Sequence, residues 1–211
     1  MKVLTIPYGP LGSNMYITIK GNEAIVVDPS VSPEVIKKAI PEFDFGSVKA
    51  VFITHAHFDH IKYVKEWAEV LNGKPVYMSE KDVQLLKESR GNGSYLIGEK
   101  TLFDVETTDI RNVNKKELIG LSFEIIETPG HTAGSCLICV SDNEKEQKVV
   151  FSGDMLFKGS VGRTDLPSGS DLDMMRSVDL IKTLPHDYKV YPGHGPDTSI
   201  EYECSNNPYF F

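Results

Sequence analysis

Five of the chain's six histidines stand where an apolar run of strand character gives way to a loop rich in glycine, proline or acid. Ala50-Val-Phe-Ile-Thr54 runs into His55-Ala-His57-Phe-Asp59-His60, Phe123-Glu-Ile-Ile-Glu-Thr-Pro-Gly130 into His131, and Tyr188-Lys-Val-Tyr-Pro-Gly193 into His194. A fourth junction, Lys148-Val-Val-Phe-Ser-Gly153, delivers the carboxylate of Asp154. Side chains carried on four strand ends act together only if the fold gathers those ends at one edge, where a rigid core holds them and loops shape a pocket. The pattern therefore constrains the fold and the chemistry at once.

Imidazole nitrogens and carboxylate oxygens suit divalent ions such as zinc, iron or manganese, and no thiolate is offered at these junctions. His55 and His57 share one side of an extended segment, while Asp59 and His60 lie where the chain turns into a helix. His55, His57, Asp59, His60, His131, Asp154 and His194 are more ligands than one tetrahedral ion can use, so the expected centre is binuclear. Zinc is the first choice of ion, with iron or manganese as alternatives. His186, between Pro185 and Asp187, lacks the junction context and is expected at the surface.

Elsewhere, short β-rich runs alternate with helical patterns, without an internal repeat or a long linker. One domain over residues 1–211 is expected. Strands are expected at Val3 to Ile6, Met15 to Ile19, Glu23 to Asp28, Val48 to Thr54, Val76 to Met78, Leu118 to Thr128, Ser135 to Ser141, Gln147 to Ser152 and Tyr188 to Tyr191. Ser32 followed by Pro33 starts a helix, and Phe58 to Leu71 reads as one amphipathic helix ending at Asn72-Gly73. Ser79 to Asp82 and Thr198 to Glu201 have the spacing of capping boxes, and Asp171 opens a helix to about Leu184. Two groups of strands with helices between them suggest an α/β sandwich of four layers, αββα, although the pattern alone also permits three.

A net charge of -8 opposes non-specific attraction to nucleic acid. The opening residues contain no apolar stretch long enough for a signal-peptide core, and no run approaches a membrane span, so a cytoplasmic enzyme acting on a small molecule is expected. Cys136 and Cys139 spell C-x-x-C, but in a strand residues i and i+3 face opposite sides, which favours two buried, unreactive thiols.

Thr54-His-Ala-His-Phe-Asp-His60, Pro129-Gly-His-Thr-Ala-Gly134, Ser152-Gly-Asp154 and Pro192-Gly-His-Gly195 together resemble the metallo-β-lactamase superfamily, over about residues 13 to 207. The resemblance implies an αββα sandwich with one metal on His55, His57 and His131, a second on Asp59, His60 and His194, and Asp154 bridging them. It also implies catalytic roles for Asp154 and for Asp59, the latter as a base if only the first site is filled. Gly162-Arg-Thr-Asp-Leu-Pro167 and the segment Pro192 to Ile200 are most similar to single-domain glyoxalase II-like hydrolases, in which Arg163 matches by position a substrate-binding lysine. The expected reaction is hydrolysis of a small acyl thioester.

Two departures bear on the substrate. The superfamily often has Gly-Gly soon after His60, where this chain has Ile61-Lys62-Tyr63, and full-length glyoxalase II adds a helical C-terminal domain where only Gly195 to Phe211 follow the last expected ligand. Two other readings remain: a persulfide dioxygenase with one iron, because that family also shows a stretch like Gly162 to Asp165, and a binding module with a structural metal.

Overall fold

The computed structural model describes residues 1–211. Its first sheet contains β1 (Lys2–Tyr8), β2 (Ser13–Lys20), β3 (Glu23–Val27), then, after helix α1 (Pro33–Ala39), β4 (Val48–Phe52). Helices α2 (Phe58–Ile61) and α3 (Val64–Leu71) lead to β5 (Val76–Met78) and β6 (Thr108–Asp109). The six strands lie in sequence order, antiparallel from β1 to β3 and parallel from β3 to β6.

The second sheet contains β7 (Lys116–Leu118), β8 (Leu121–Glu127), β9 (Cys136–Asp142) and β10 (Gln147–Gly153). A small hairpin, β11 (Leu156–Phe157) and β12 (Ser160–Val161), precedes helix α4 (Asp171–Ile181), and β13 (Lys189–Pro192), β14 (Thr198–Ser199) and α5 (Ile200–Asn206) close the chain. The order is β14-β13-β10-β9-β8-β7. Because β8 and β10 are each antiparallel to β9, and β13 is parallel to β10, the strands β8, β10 and β13 run the same way. Their C-terminal ends share one edge.

Alternation of side chains along each strand fills three cores. Ile25, Phe52, Phe123, Ile138 and Phe151 meet between the sheets, where the Phe52 and Phe123 rings stack at 5.1 Å. Val26, Val51 and Ile53 face the other way, onto Ile36, Trp67 and Leu71 of the helices over the first sheet. Leu137, Val150 and Val190 pack on Met174, Val178, Ile181 and Ile200 beneath α4 and α5. The fold is thus the αββα sandwich of four layers. Cys136 and Cys139 fall on opposite faces of β9, in the inner and outer cores, and burial pushes both thiols up, Cys139 to about 12. No helix is long and apolar enough to cross a membrane.

Four of the differences from the expected boundaries have an identifiable hydrogen-bonding or turn cause. The helix expected from Phe58 to Leu71 breaks at Lys62-Tyr63, because the Tyr63 amide donates to Pro29 O (3.0 Å) while Asp59 O accepts from Ser13 Oγ (2.8 Å). The strand expected from Leu118 to Thr128 is a hairpin, turned by Ile119 and Gly120 with φ of 52° and 68°, the geometry of a two-residue primed turn. Helix α4 ends at Ile181, where the Thr183 and Leu184 amides tighten to three-residue bonds on Leu180 and Ile181. Ser199, not Thr198, caps α5, since Thr198 turns its hydroxyl to Glu203.

Candidate metal centre

Strand ends from both sheets deliver the expected residues to one place. His55 follows β4, His57 immediately precedes α2, and Asp59 and His60 sit in its first turn; His131, Asp154 and His194 follow β8, β10 and β13. The β10/β13 register shifts between Phe151 and Gly153, a bulge that re-aims the chain before Asp154. Gly153 adopts φ 50°, and a Cβ there would lie 2.4 Å from Thr54 Oγ1. At Gly193 a Cβ would stand 2.1 Å from Asp154 Oδ1 and 2.7 Å from His60 Cε1, so the backbone itself forms one wall.

The donor atoms form two groups about Asp154. His55, His57 and His131 make one, with His57 Nδ1 and His131 Nε2 2.8 Å apart; Asp59, His60 and His194 make the other, with the His60 and His194 Nε2 atoms 3.2 Å apart. Asp154 Oδ2 lies 3.5 Å from both His131 Nε2 and His194 Nε2, and 4.0 Å from His55 Nε2, while Oδ1 is 3.2 Å from His60 Nε2. Ligands bonded at 2.0–2.1 Å around a tetrahedral ion are separated by about 3.3 Å, and most of these gaps fall near that spacing.

Outer hydrogen bonds set four of the five tautomers. Nδ1–H of His60 donates to Asp28 Oδ2 (3.0 Å), that of His131 to Arg163 O (2.7 Å) and that of His194 to Leu11 O (3.0 Å). Thr54 Oγ1 spends its own hydrogen on Asp28 Oδ2 (2.7 Å), so it accepts from His55 Nδ1 (3.0 Å). Each Nε2 therefore faces the centre and is the lone-pair nitrogen whenever its ring is neutral, the arrangement in which a protein holds metal-binding histidines. His57 is turned the other way, with Nδ1 inward. His55 Nε2 is buried without any hydrogen-bond partner, and Asp154 Oδ1 is faced only by His60 Nε2 at 3.2 Å, a costly arrangement that a bound cation relieves. The donor set fits divalent ions.

Burial pushes the charged forms of His55 and His57 down, helped by neighbouring imidazoles, His57 to about 3. Burial acts the same way on His60 and His194, but Asp154 and Asp59 outweigh it: His60 is raised well above the ordinary value and His194 to about 9. Asp154, which burial alone would raise, is held well below the carboxylate range by His60, His194 and His55. Asp59 is lowered against its own burial by His60 and His194. Without metal, two imidazolium–carboxylate pairs balance the charge in the second group.

Two buried acids escaped the sequence reading. Asp28, at the C-terminal end of β3, takes Thr54 N (2.8 Å), Thr54 Oγ1 and His60 Nδ1. The run Ala24-Ile-Val-Val-Asp28-Pro29 has the same apolar-to-acid junction as the other contributors, and that signal would have found it. Asp82, expected as the acid of a capping box, is instead fully buried and receives Ala56 N (3.0 Å), Gly134 N (2.7 Å) and Thr132 Oγ1 (2.7 Å), tying the His55 segment to the His131 loop. Nothing local in the sequence marks that role. Arg163 reaches the site through its carbonyl; its guanidinium forks onto Asp165 at 2.6 and 2.7 Å. His186 is exposed.

Residues 8–194 match the metallo-beta-lactamase superfamily. The chain belongs to this superfamily. A probable metallo-hydrolase of Streptococcus pyogenes is 33% identical over 94% of this chain and 86% of its own length, and hydroxyacylglutathione hydrolase GloC of Haemophilus influenzae is 33% identical over 88% and 86%. Among solved structures, the B3 metallo-beta-lactamase BLEG-1 is similar with a TM-score of 0.87 and 32% identity over 99% of both chains. TTHA1623 in a di-iron-bound form is similar with a TM-score of 0.78 and 32% identity over 98% and 99%. This member of the superfamily is a metal-dependent hydrolase.

Proposed function

We propose that the chain hydrolyses small acyl thioesters with two divalent transition-metal ions, zinc in the first instance, held by His55, His57 and His131 on one side and Asp59, His60 and His194 on the other, with Asp154 between them. The observation that carries this reading is the inward convergence of histidine nitrogens from both sides on one carboxylate, Asp154. The ions, when bound, supply Lewis acidity and lower the pKa of water to about 7.

The chain's own residues do the rest. The Nδ1–H bonds to Asp28, Thr54, Arg163 O and Leu11 O fix the rings before substrate arrives, so no reorganisation is needed during reaction. Leu11, Phe58, Leu96 and Leu166 line the approach to Asp59, Asp154 and His194 in a cavity of about 130 Å3 and give an acyl group apolar surface. Hydrolysis breaks the acyl C–S bond and forms C–O from water, and the sulfur leaves as thiol with one of water's protons. With the second group empty of metal, Asp59 stands at the mouth of the cavity beside His194 (3.3 Å) and His60 (3.7 Å), where its carboxylate could take that proton. The similarity to hydroxyacylglutathione hydrolase GloC supports a thioester over other acyl compounds.

A second reading, a mononuclear-iron persulfide dioxygenase, is favoured by the proximity of His55, His131 and Asp154, the composition of a two-histidine, one-carboxylate iron site. Metal-loaded protein assayed in parallel for acyl-thioester hydrolysis, β-lactam hydrolysis and persulfide-dependent oxygen uptake separates the readings. Thioester turnover is expected; oxygen uptake or β-lactam turnover without it overturns the proposal.

A further inference from the structure

The cavity over the candidate centre has a volume of about 130 Å3, below the range of about 300–1,000 Å3 typical of small-molecule sites. A second pocket of about 400 Å3 opens beside it, within the size range of small-molecule sites, and shares Leu11, Phe58 and Asp59 with it. Its other walls include Ser30, Lys62 and Tyr63.

Three features give this pocket a chemistry. Ser30 is 3% exposed, and its Oγ has no hydrogen-bond partner. A buried hydroxyl in that state favours a ligand that supplies one. Lys62 is exposed at the break between α2 and α3 and joins none of the chain's ion pairs, whereas Arg163, whose carbonyl binds His131 of the other donor group, is already forked onto Asp165. Asp59, the wall's acid, turns its Oδ2 to His194 (3.3 Å) and His60 (3.7 Å), which lessens its repulsion of an incoming anion. The wall is also fixed in place, since Ser13 Oγ donates to Asp59 O and Leu11 O accepts from His194.

We propose that the pocket beside Asp59 holds the acidic end of the thiol half of the substrate, with Lys62 as its counter-ion and Ser30 as a buried hydrogen-bond partner. The proposal rests on the thioester reading for the name of the ligand. Specificity for an acidic thiol then comes from the Lys62 side of the centre and not from Arg163.

The test measures calorimetric binding of S-methylglutathione, an acidic thioether that cannot be hydrolysed, and of neutral S-methyl-N-acetylcysteamine to metal-loaded protein. The affinity ratio of acidic to neutral probe should fall about fivefold in Lys62→Ala and about tenfold or more in Lys62→Glu, the range for losing and reversing an exposed ion pair. Lys62→Arg should restore it, and Ser30→Ala should weaken the acidic probe several-fold without loss of thermal stability. An unchanged ratio in Lys62→Glu, or a collapse in Arg163→Ala instead, overturns the proposal. Steady-state assays of the matching thioesters keep the two claims apart: Lys62-dependent binding without thioester turnover supports the pocket and overturns the hydrolase reading, and turnover with a Lys62-independent ratio does the reverse.

Discussion

His60 is held between two carboxylates, its Nδ1 3.0 Å from Asp28 Oδ2 and its Nε2 3.2 Å from Asp154 Oδ1. Asp28 thus decides which nitrogen of His60 faces the centre, and through Thr54 it does the same for His55. Asp28→Asn keeps the shape but loses one acceptor and a charge. It should weaken loading of the second ion about 10- to 100-fold, the usual cost of disturbing such an outer partner. Chelator competition beside a thermal melt checks this; unchanged affinity in a folded variant would show that His60 is oriented by packing alone.

Asp154→Ala removes the carboxylate shared by both donor groups while leaving the three hydrophobic cores untouched. Thioester hydrolysis should fall by at least about 10²-fold, more than for an outer-partner change, with far-UV circular dichroism preserved. Wild-type turnover at unchanged metal content would remove Asp154 from the bridging position.

Gly193→Ala tests the wall formed by backbone. A Cβ 2.1 Å from Asp154 Oδ1 cannot be accommodated unless the β13 loop or the Asp154 carboxylate moves. The variant should lose about 1–3 kcal/mol of stability by overpacking, together with metal affinity. A denaturant titration matching the wild type would mean that the loop yields without cost.

Metal uptake should tighten as pH rises. His194, lifted to about 9, and His60, raised by its carboxylates, hold protons in the metal-free protein that an incoming ion must displace. Affinity of the second group is therefore lowest at acid pH and climbs until about pH 9, by up to about tenfold per pH unit for each proton released. The first group, where His55 and His57 are already neutral, should change less. Competition titrations at several pH values that gave one flat affinity for both ions would contradict this charge assignment.

The sequence displayed the centre more fully than its support. His131, Asp154 and His194 could be found because β8, β10 and β13 are apolar runs that end abruptly in Gly and Pro, and the two sheets followed from the grouping of such runs. Asp28 carried the same signature but was read as the last residue of its strand. Asp82 could not be found, because its partners are the amides of Ala56 and Gly134 and the hydroxyl of Thr132, brought close only when the sheets pack. The break at Lys62 was hidden for a similar reason: the bonds that interrupt the helix come from Ser13 and Pro29, distant in sequence. Local pattern shows strand ends and periodic faces, whereas long-range hydrogen bonds appear only with the fold.

Anomalous diffraction from crystals of metal-loaded protein, recorded at the absorption edge of the loaded ion, tests the binuclear centre most directly. Two peaks are expected, one bonded to His55, His57 and His131 and the other to Asp59, His60 and His194, with Asp154 touching both. No peak among these side chains, or a lone peak that leaves Asp154 outside its coordination, would contradict the account.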